Sequence, residues 1–289
     1  MNEELKNIPE EELEPFSLER FEPPQDVIGM VGFSQSGKSV FASLFTHFLH
    51  QTVKQLGIDA SLEEGHDIVR DNMDWLLKKR QFPPATQPGT IRTIKILLNK
   101  KSFRTNKSIL LQVNDMAGEP FSRLAEGNVA DPVSFLVTYQ TATGQGIGPY
   151  GFILYAKAFV ITIDCSTYGD WSTLQYDYCM LLKVIKEGRK KDRLETPIAF
   201  VFTKCDLLPE DSLGSSGDRL LDELPAVRDY MKQHFEPKKV IALAVKIGVE
   251  TDGSGVPTKG QDGGHVPKLP LDVPLEGFTN FVQWAFKWL

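Results

Sequence analysis

The sequence predicts an α/β domain: a mostly parallel, six-stranded twisted sheet with helices on both faces. Three observations predict it. Short apolar runs alternate with longer segments whose apolar residues recur at helical spacing. A glycine-rich loop, Gly32-Phe33-Ser34-Gln35-Ser36-Gly37-Lys38-Ser39, joins the first run to the first such segment. Two later runs end in turn-forming acids, at Asp115 and Asp206, as strands do when they deliver side chains to one edge of a parallel sheet. A chain of 289 residues can bury an ample core, and residues 25–289 are read as one domain.

The first strand is Asp26-Val27-Ile28-Gly29-Met30-Val31, and Val40, Phe41, Leu44, Phe45 and Phe48 continue beyond the loop as a helix. The loop itself matches G-x-x-x-x-G-K-[ST], the phosphate-binding loop, and so predicts a P-loop NTPase domain. A polyphosphate needs a ring of backbone N–H donors, which glycines allow the chain to wrap closely around it. The helix that starts here adds the positive end of its dipole. Gly32, Ser34, Gln35, Ser36, Gly37, Lys38, Ser39 and Val40 are the expected phosphate-side contacts, with Lys38 on the outer phosphates and the Ser39 hydroxyl on Mg²⁺. The competing reading is a glycine turn with no nucleotide.

Next, Ser61-Leu62-Glu63-Glu64 has the form of a capping box, so a helix is expected over 61–80, inserted before the proline-rich 82–90. Ile94, Ile96 and Leu98 alternate with Thr93, Lys95 and Leu97 as a half-buried strand. Ile109 to Val113 reads as its neighbour, with a hairpin tip over 99–107. That second strand ends in Asp115-Met116-Ala117-Gly118, which offers an acid towards Mg²⁺ and a glycine N–H towards a γ-phosphate. A plain Asp-Gly turn is the alternative.

After a long segment, 119–157, comes an apolar strand, Ala158 to Ile163, and a helix carrying Leu174, Tyr178, Leu181, Leu182 and Ile185. Ile198 to Phe202 is another strand and ends in Thr203-Lys204-Cys205-Asp206. A carboxylate at Asp206 can accept from the N1–H and 2-amino group of guanine, which adenine does not offer. The Lys204 stem can cover the base plane. A helix over 218–234, a strand over 240–245 followed by Lys246, a Gly/Pro-rich loop over 250–274 and a helix over 275–289 complete the chain.

Charge and composition narrow the function classes. Residues 1–24 hold eight glutamates against Lys6 and Arg20, so this leader accounts for the whole net charge of −6. It is expected to be disordered. No basic patch suggests nucleic acid. No run of about eighteen apolar residues suggests a membrane span, and no signal peptide is evident, so a cytoplasmic protein is expected. The cysteines, Cys165, Cys179 and Cys205, are far apart in sequence and are expected to be reduced thiols. His47 and His50 have no acid or cysteine nearby to complete a zinc site.

With these motifs in order, the chain resembles the P-loop GTPases of the translation-factor and Ras-like class. The resemblance rests on the GFSQSGKS loop, Asp115-Met116-Ala117-Gly118 and Thr203-Lys204-Cys205-Asp206. Ala244-Val245-Lys246 approximates the family's S-A-K. The D-x-A-G-E form, the helix before Pro83-Pro84-Ala85-Thr86 and the bulky second switch are similar to bacterial double GTPases of conflict systems.

The resemblance implies a G domain that binds GTP or GDP with Mg²⁺. Gly118, Thr203, Lys204, Asp206, Val245 and Lys246 would join the nucleotide contacts, with backbone near Val245 on the guanine O6. Ser39, Thr86 and Asp115 would serve the metal, and Lys38, Thr86 and Glu119 the chemistry. Thr86 would be the first-switch threonine, with Thr90 the second choice. Glu119 stands where relatives have a water-positioning glutamine, and Ser34 where they have glycine, so slow hydrolysis is expected. Arg80, six residues before Thr86, is a candidate to act in cis, and a solvated residue at a helix end is the commoner role for such a group. A partner, either a second GTPase or an arginine-supplying activator, would then be needed. A non-hydrolysing nucleotide-holding scaffold is the alternative, and a P-loop ATPase a weaker one.

Overall fold

The computed structural model describes residues 27–33, 35–54, 56–84, 91–101, 106–116, 131, 135, 156–188, 195–208, 217–246, 249–254, 256–260, 264–271 and 275–288. The acidic leader and nearly all of 119–157 lie outside the described residues.

Parallel strands covered on both faces must be apolar throughout, and the central ones are. Strand β1 (Val27–Val31), β5 (Ala158–Asp164) and β6 (Ile198–Thr203) are buried at every position. Because successive side chains alternate, each strand feeds two cores. Ile28, Met30, Val160 and Val201 point to one layer, and Val27, Val31, Ile161 and Phe200 to the other. Helices α1 (Lys38–His47), α2 (Leu49–Lys54), α3 (His66–Asp74) and α7 (Leu275–Trp288) cover the first face. Helices α4 (Trp171–Gly188), α5 (Gly217–Asp222) and α6 (Pro225–His234) cover the second.

Among the described residues the sheet has seven strands, in the order β2-β3-β4-β1-β5-β6-β7. β4 (Asn106–Met116), β5 and β1 run parallel, as do β6 and β7 (Val240–Ala244). β3 (Ile91–Lys101) forms the expected antiparallel hairpin with β4. β1 has β4 on one side and β5 on the other, so the chain reverses its direction of travel across the sheet there. In open parallel sheets such a reversal is where a crevice forms at the strands' carboxyl ends.

The seventh strand corrects the expected six. β2 (Ile58–Glu64) pairs antiparallel with β3 at the sheet edge. Ile58, Ala60 and Leu62 face inward while Asp59, Ser61 and Glu63 are exposed, a period of two. The capping-box pattern at Ser61 and Glu64 is therefore a strand pattern, and the Ser61 hydroxyl donates to Glu63 instead. The helix starts later, at His66, behind Gly65 at φ 91°, and ends in a wide turn over Trp75–Lys79.

Two other boundaries move for physical reasons. The helix expected over 218–234 is broken into α5 and α6, because Pro225 starts a new helix and cannot continue an old one. The segment read as a long loop carries the bridges Val249↔Pro267, Thr251↔Pro257 and Lys259↔His265, so it folds back on itself as an irregular ladder.

Candidate functional site

The site is built at the end of β1, where the chain leaves the sheet and enters α1. Gly32 passes so close to β5 that a Cβ there would lie 2.1 Å from the Thr162 hydroxyl. Gly37 has φ 80°, and its Cβ would meet the Thr203 side chain at 3.0 Å. Both loop glycines are therefore required by backbone approach. Gln35 takes φ 61°, a left-handed conformation that costs a non-glycine residue about 1–2 kcal/mol.

The loop is held from below by hydroxyls. Ser36 Oγ and Thr162 Oγ1 are 2.6 Å apart, and Thr162 Oγ1 also donates to Val31 O at 3.3 Å. Thr203 Oγ1 donates to Ser36 O at 3.0 Å, with Ile163 O at 3.2 Å. Lys38 is buried, and its ammonium donates to Gly32 O and Phe33 O at 2.9 and 2.8 Å, arching back over the loop. Helix α1 opens on Gly37 with no side-chain cap and no acid in its first turn. Its first-turn N–H groups, the helix dipole and the Lys38 ammonium together suit a polyanion. Ser39, half-buried in that first turn, carries a hydroxyl oxygen of the kind Mg²⁺ prefers.

The second half of the site is the loop after β6. Lys204 is left-handed at φ 56°, and a short 3₁₀ turn over Cys205–Leu207 carries Asp206. Strand β5 ends beside it, with Asp164 paired in register to Thr203. The Asp164 carboxylate accepts from Ser166 N at 2.8 Å and Ser166 Oγ at 2.6 Å on one oxygen. Its other oxygen accepts from Lys204 Nζ at 2.5 Å. The third piece is the end of β7. There the Val245 N–H donates to Phe202 O at 2.7 Å, and Val245 O accepts from Cys205 N at 3.4 Å. The Val245 amide is thus engaged by the neighbouring strand at the end of the sheet. The next N–H along the chain is that of Lys246.

The structure brings together Gly32, Gln35, Ser36, Gly37, Lys38, Ser39, Val40, Thr203, Lys204, Asp206, Val245 and Lys246 at one edge of the sheet. Asp115 is next to last in β4, three residues beyond that strand's last pair with β1, Gly29↔Gln112. Ser34, Thr86, Thr90, Gly118 and Glu119 lie outside the described residues. Arg80 forms an ion pair with Glu250, on the segment that follows Lys246.

Sequence reasoning missed three residues here. Thr162 and Asp164 act from β5, and their only sequence signal is a polar side chain inside an apolar run. The third is Cys165, whose sulfur lies 3.4 Å from that of Cys205. Its thiol is pushed well up, first by hydrogen bonding to Cys205 and then by burial, with the nearby carboxylates adding to the shift. Burial likewise pushes up the Tyr178 hydroxyl, which donates to Thr162 O at 3.4 Å beneath the loop.

Taken together, the parallel sheet, the loop cradled between β1 and α1 and the helix that follows it define a P-loop NTPase domain. A family model described as Double-GTPase 2 matches residues 26–246, and the chain belongs to that family. Comparison with curated proteins gives no match. Among the described residues no helix is long and apolar enough to cross a membrane.

Proposed function

We propose that the chain binds GTP and GDP with Mg²⁺, hydrolyses GTP slowly by itself and acts as a switch read by a protein partner. The observation that carries this reading is the Thr203 hydroxyl on Ser36 O, which links two loops 167 residues apart in sequence. That link supports a fixed spacing between the glycine loop and the turn that carries Asp206. In this reading Lys38 turns from the loop carbonyls to the outer phosphates, and Asp206 accepts from the guanine edge. Ser39 and Asp115, with Thr86, hold the metal, which supplies charge neutralisation on the phosphates when bound. Backbone N–H groups at Gly118 and Lys246 complete the contacts.

Hydrolysis needs a positioned water and a positive group opposite the charge that spreads onto the γ-phosphate oxygens. Glu119 would serve the water. The pairing of Arg80 with Glu250 favours an arginine supplied by a partner over one supplied in cis. The family name supports a second GTPase as that partner, and in this reading the resemblance of the D-x-A-G-E form assigns the pair to a bacterial conflict system.

Single-turnover phosphate release tests this. Wild type alone is expected at about 10⁻⁴ to 10⁻² s⁻¹, the range of unassisted relatives. Glu119→Ala should lower it, and Arg80→Ala should leave it nearly unchanged. Fast hydrolysis in wild type that survives both substitutions contradicts the partner-dependent switch.

A further inference from the structure

We infer that Asp164 is a positioning residue for the base end of the nucleotide: its carboxylate tethers the Lys204 ammonium so that the lysine stem is pre-set beside Asp206. The inference rests on the guanine-nucleotide reading above and adds a residue that no motif contains.

Three features carry it. First, strand register fixes the pair, because Asp164 and Thr203 are direct partners in the β5–β6 ladder and Lys204 is the next residue. Second, the carboxylate's oxygens are divided between two tasks. One takes both donors of Ser166, and the other is left for Lys204 at 2.5 Å. The side chains are 12% and 30% exposed, so the pair is shielded on the acid side and open on the lysine side, where a base would lie. Third, Lys204 holds a left-handed backbone at φ 56°, so the chain leaves the course of β6 at this residue and enters the turn over Cys205–Leu207.

A lysine stem has four rotatable bonds, and an untethered one would have to be ordered at each binding event. Tethering it in advance removes that cost from binding. The competing role is purely structural, since Asp164 also caps the 3₁₀ turn over Cys165–Asp170. The two roles are separable. Asp164→Asn keeps an oxygen for the Ser166 donors while removing the charge that holds Lys204. Lys204→Met keeps the stem and removes the ammonium.

The experiment compares GDP·Mg²⁺ with inorganic tripolyphosphate, which engages the phosphate loop and carries no base, by titration calorimetry on the full chain. Asp164→Asn should weaken GDP about tenfold, the loss of one charge-assisted contact, and leave tripolyphosphate unchanged. Lys204→Met should show the same split, and the double variant should fall no further than either single one. If Asp164→Asn fails to fold, Lys204→Met decides alone by the same split. Unchanged GDP affinity, an equal loss of both ligands or additive losses in the double variant would overturn the inference. Wild type that binds tripolyphosphate but not GDP would overturn the guanine reading, and this inference with it.

Discussion

Gly37 shows how tightly single residues are specified. It must be left-handed to turn the chain from loop to helix, and it must lack a Cβ to let the Thr203 side chain pass. Gly37→Ala meets both objections at once and should cost about 1–3 kcal/mol of stability. The denaturation midpoint measures it, and a midpoint equal to wild type would show that the loop relaxes freely. The loop was legible in sequence because its spacing is itself the chemistry. Asp164 and Thr162 were not, because each acts through another residue, and that leaves no local pattern. The same holds for Cys165 and Cys205, which are brought together only when β5 pairs with β6. The hydrogen bond from the Val245 amide to Phe202 O likewise shows only once β6 and β7 are paired.

At the scale of elements, long periodic stretches were readable and short ones were ambiguous. Strand β2 has a period of two, yet its Ser-x-x-Glu also fits a helix start, and pairing with β3 decides between them. Pro225 splits α5 from α6 although the apolar stripe runs on through both. Helix α7 was placed correctly from its stripe, and its role becomes clear in packing. Phe281 lies edge-on to Phe41 and Phe45 of α1 with ring centroids 6.0 and 5.5 Å apart, and Phe278 meets the same two rings. These contacts back the helix that follows the glycine loop. Phe281→Ala, at a fully buried position, should destabilise the protein by about 3–5 kcal/mol. Urea unfolding tests this, and a loss below about 1 kcal/mol would mean that α7 does not buttress α1.

Across the whole molecule, sheet order is what makes a single site from distant motifs. Strands β1, β5, β6 and β7 run parallel and adjacent, so the phosphate loop, Asp164, the Asp206 turn and the Val245-Lys246 end all emerge on one edge. The central claim is that this edge selects guanine through Asp206. Titration of GTP·Mg²⁺, ATP·Mg²⁺ and XTP·Mg²⁺ into nucleotide-free wild type and Asp206→Asn tests it most directly. Wild type should prefer GTP over ATP by about 2–5 kcal/mol, the worth of two charge-assisted hydrogen bonds and the cost of leaving the acid unpaired. Asp206→Asn should shift the preference towards XTP. Equal affinity of wild type for ATP and GTP would contradict the account.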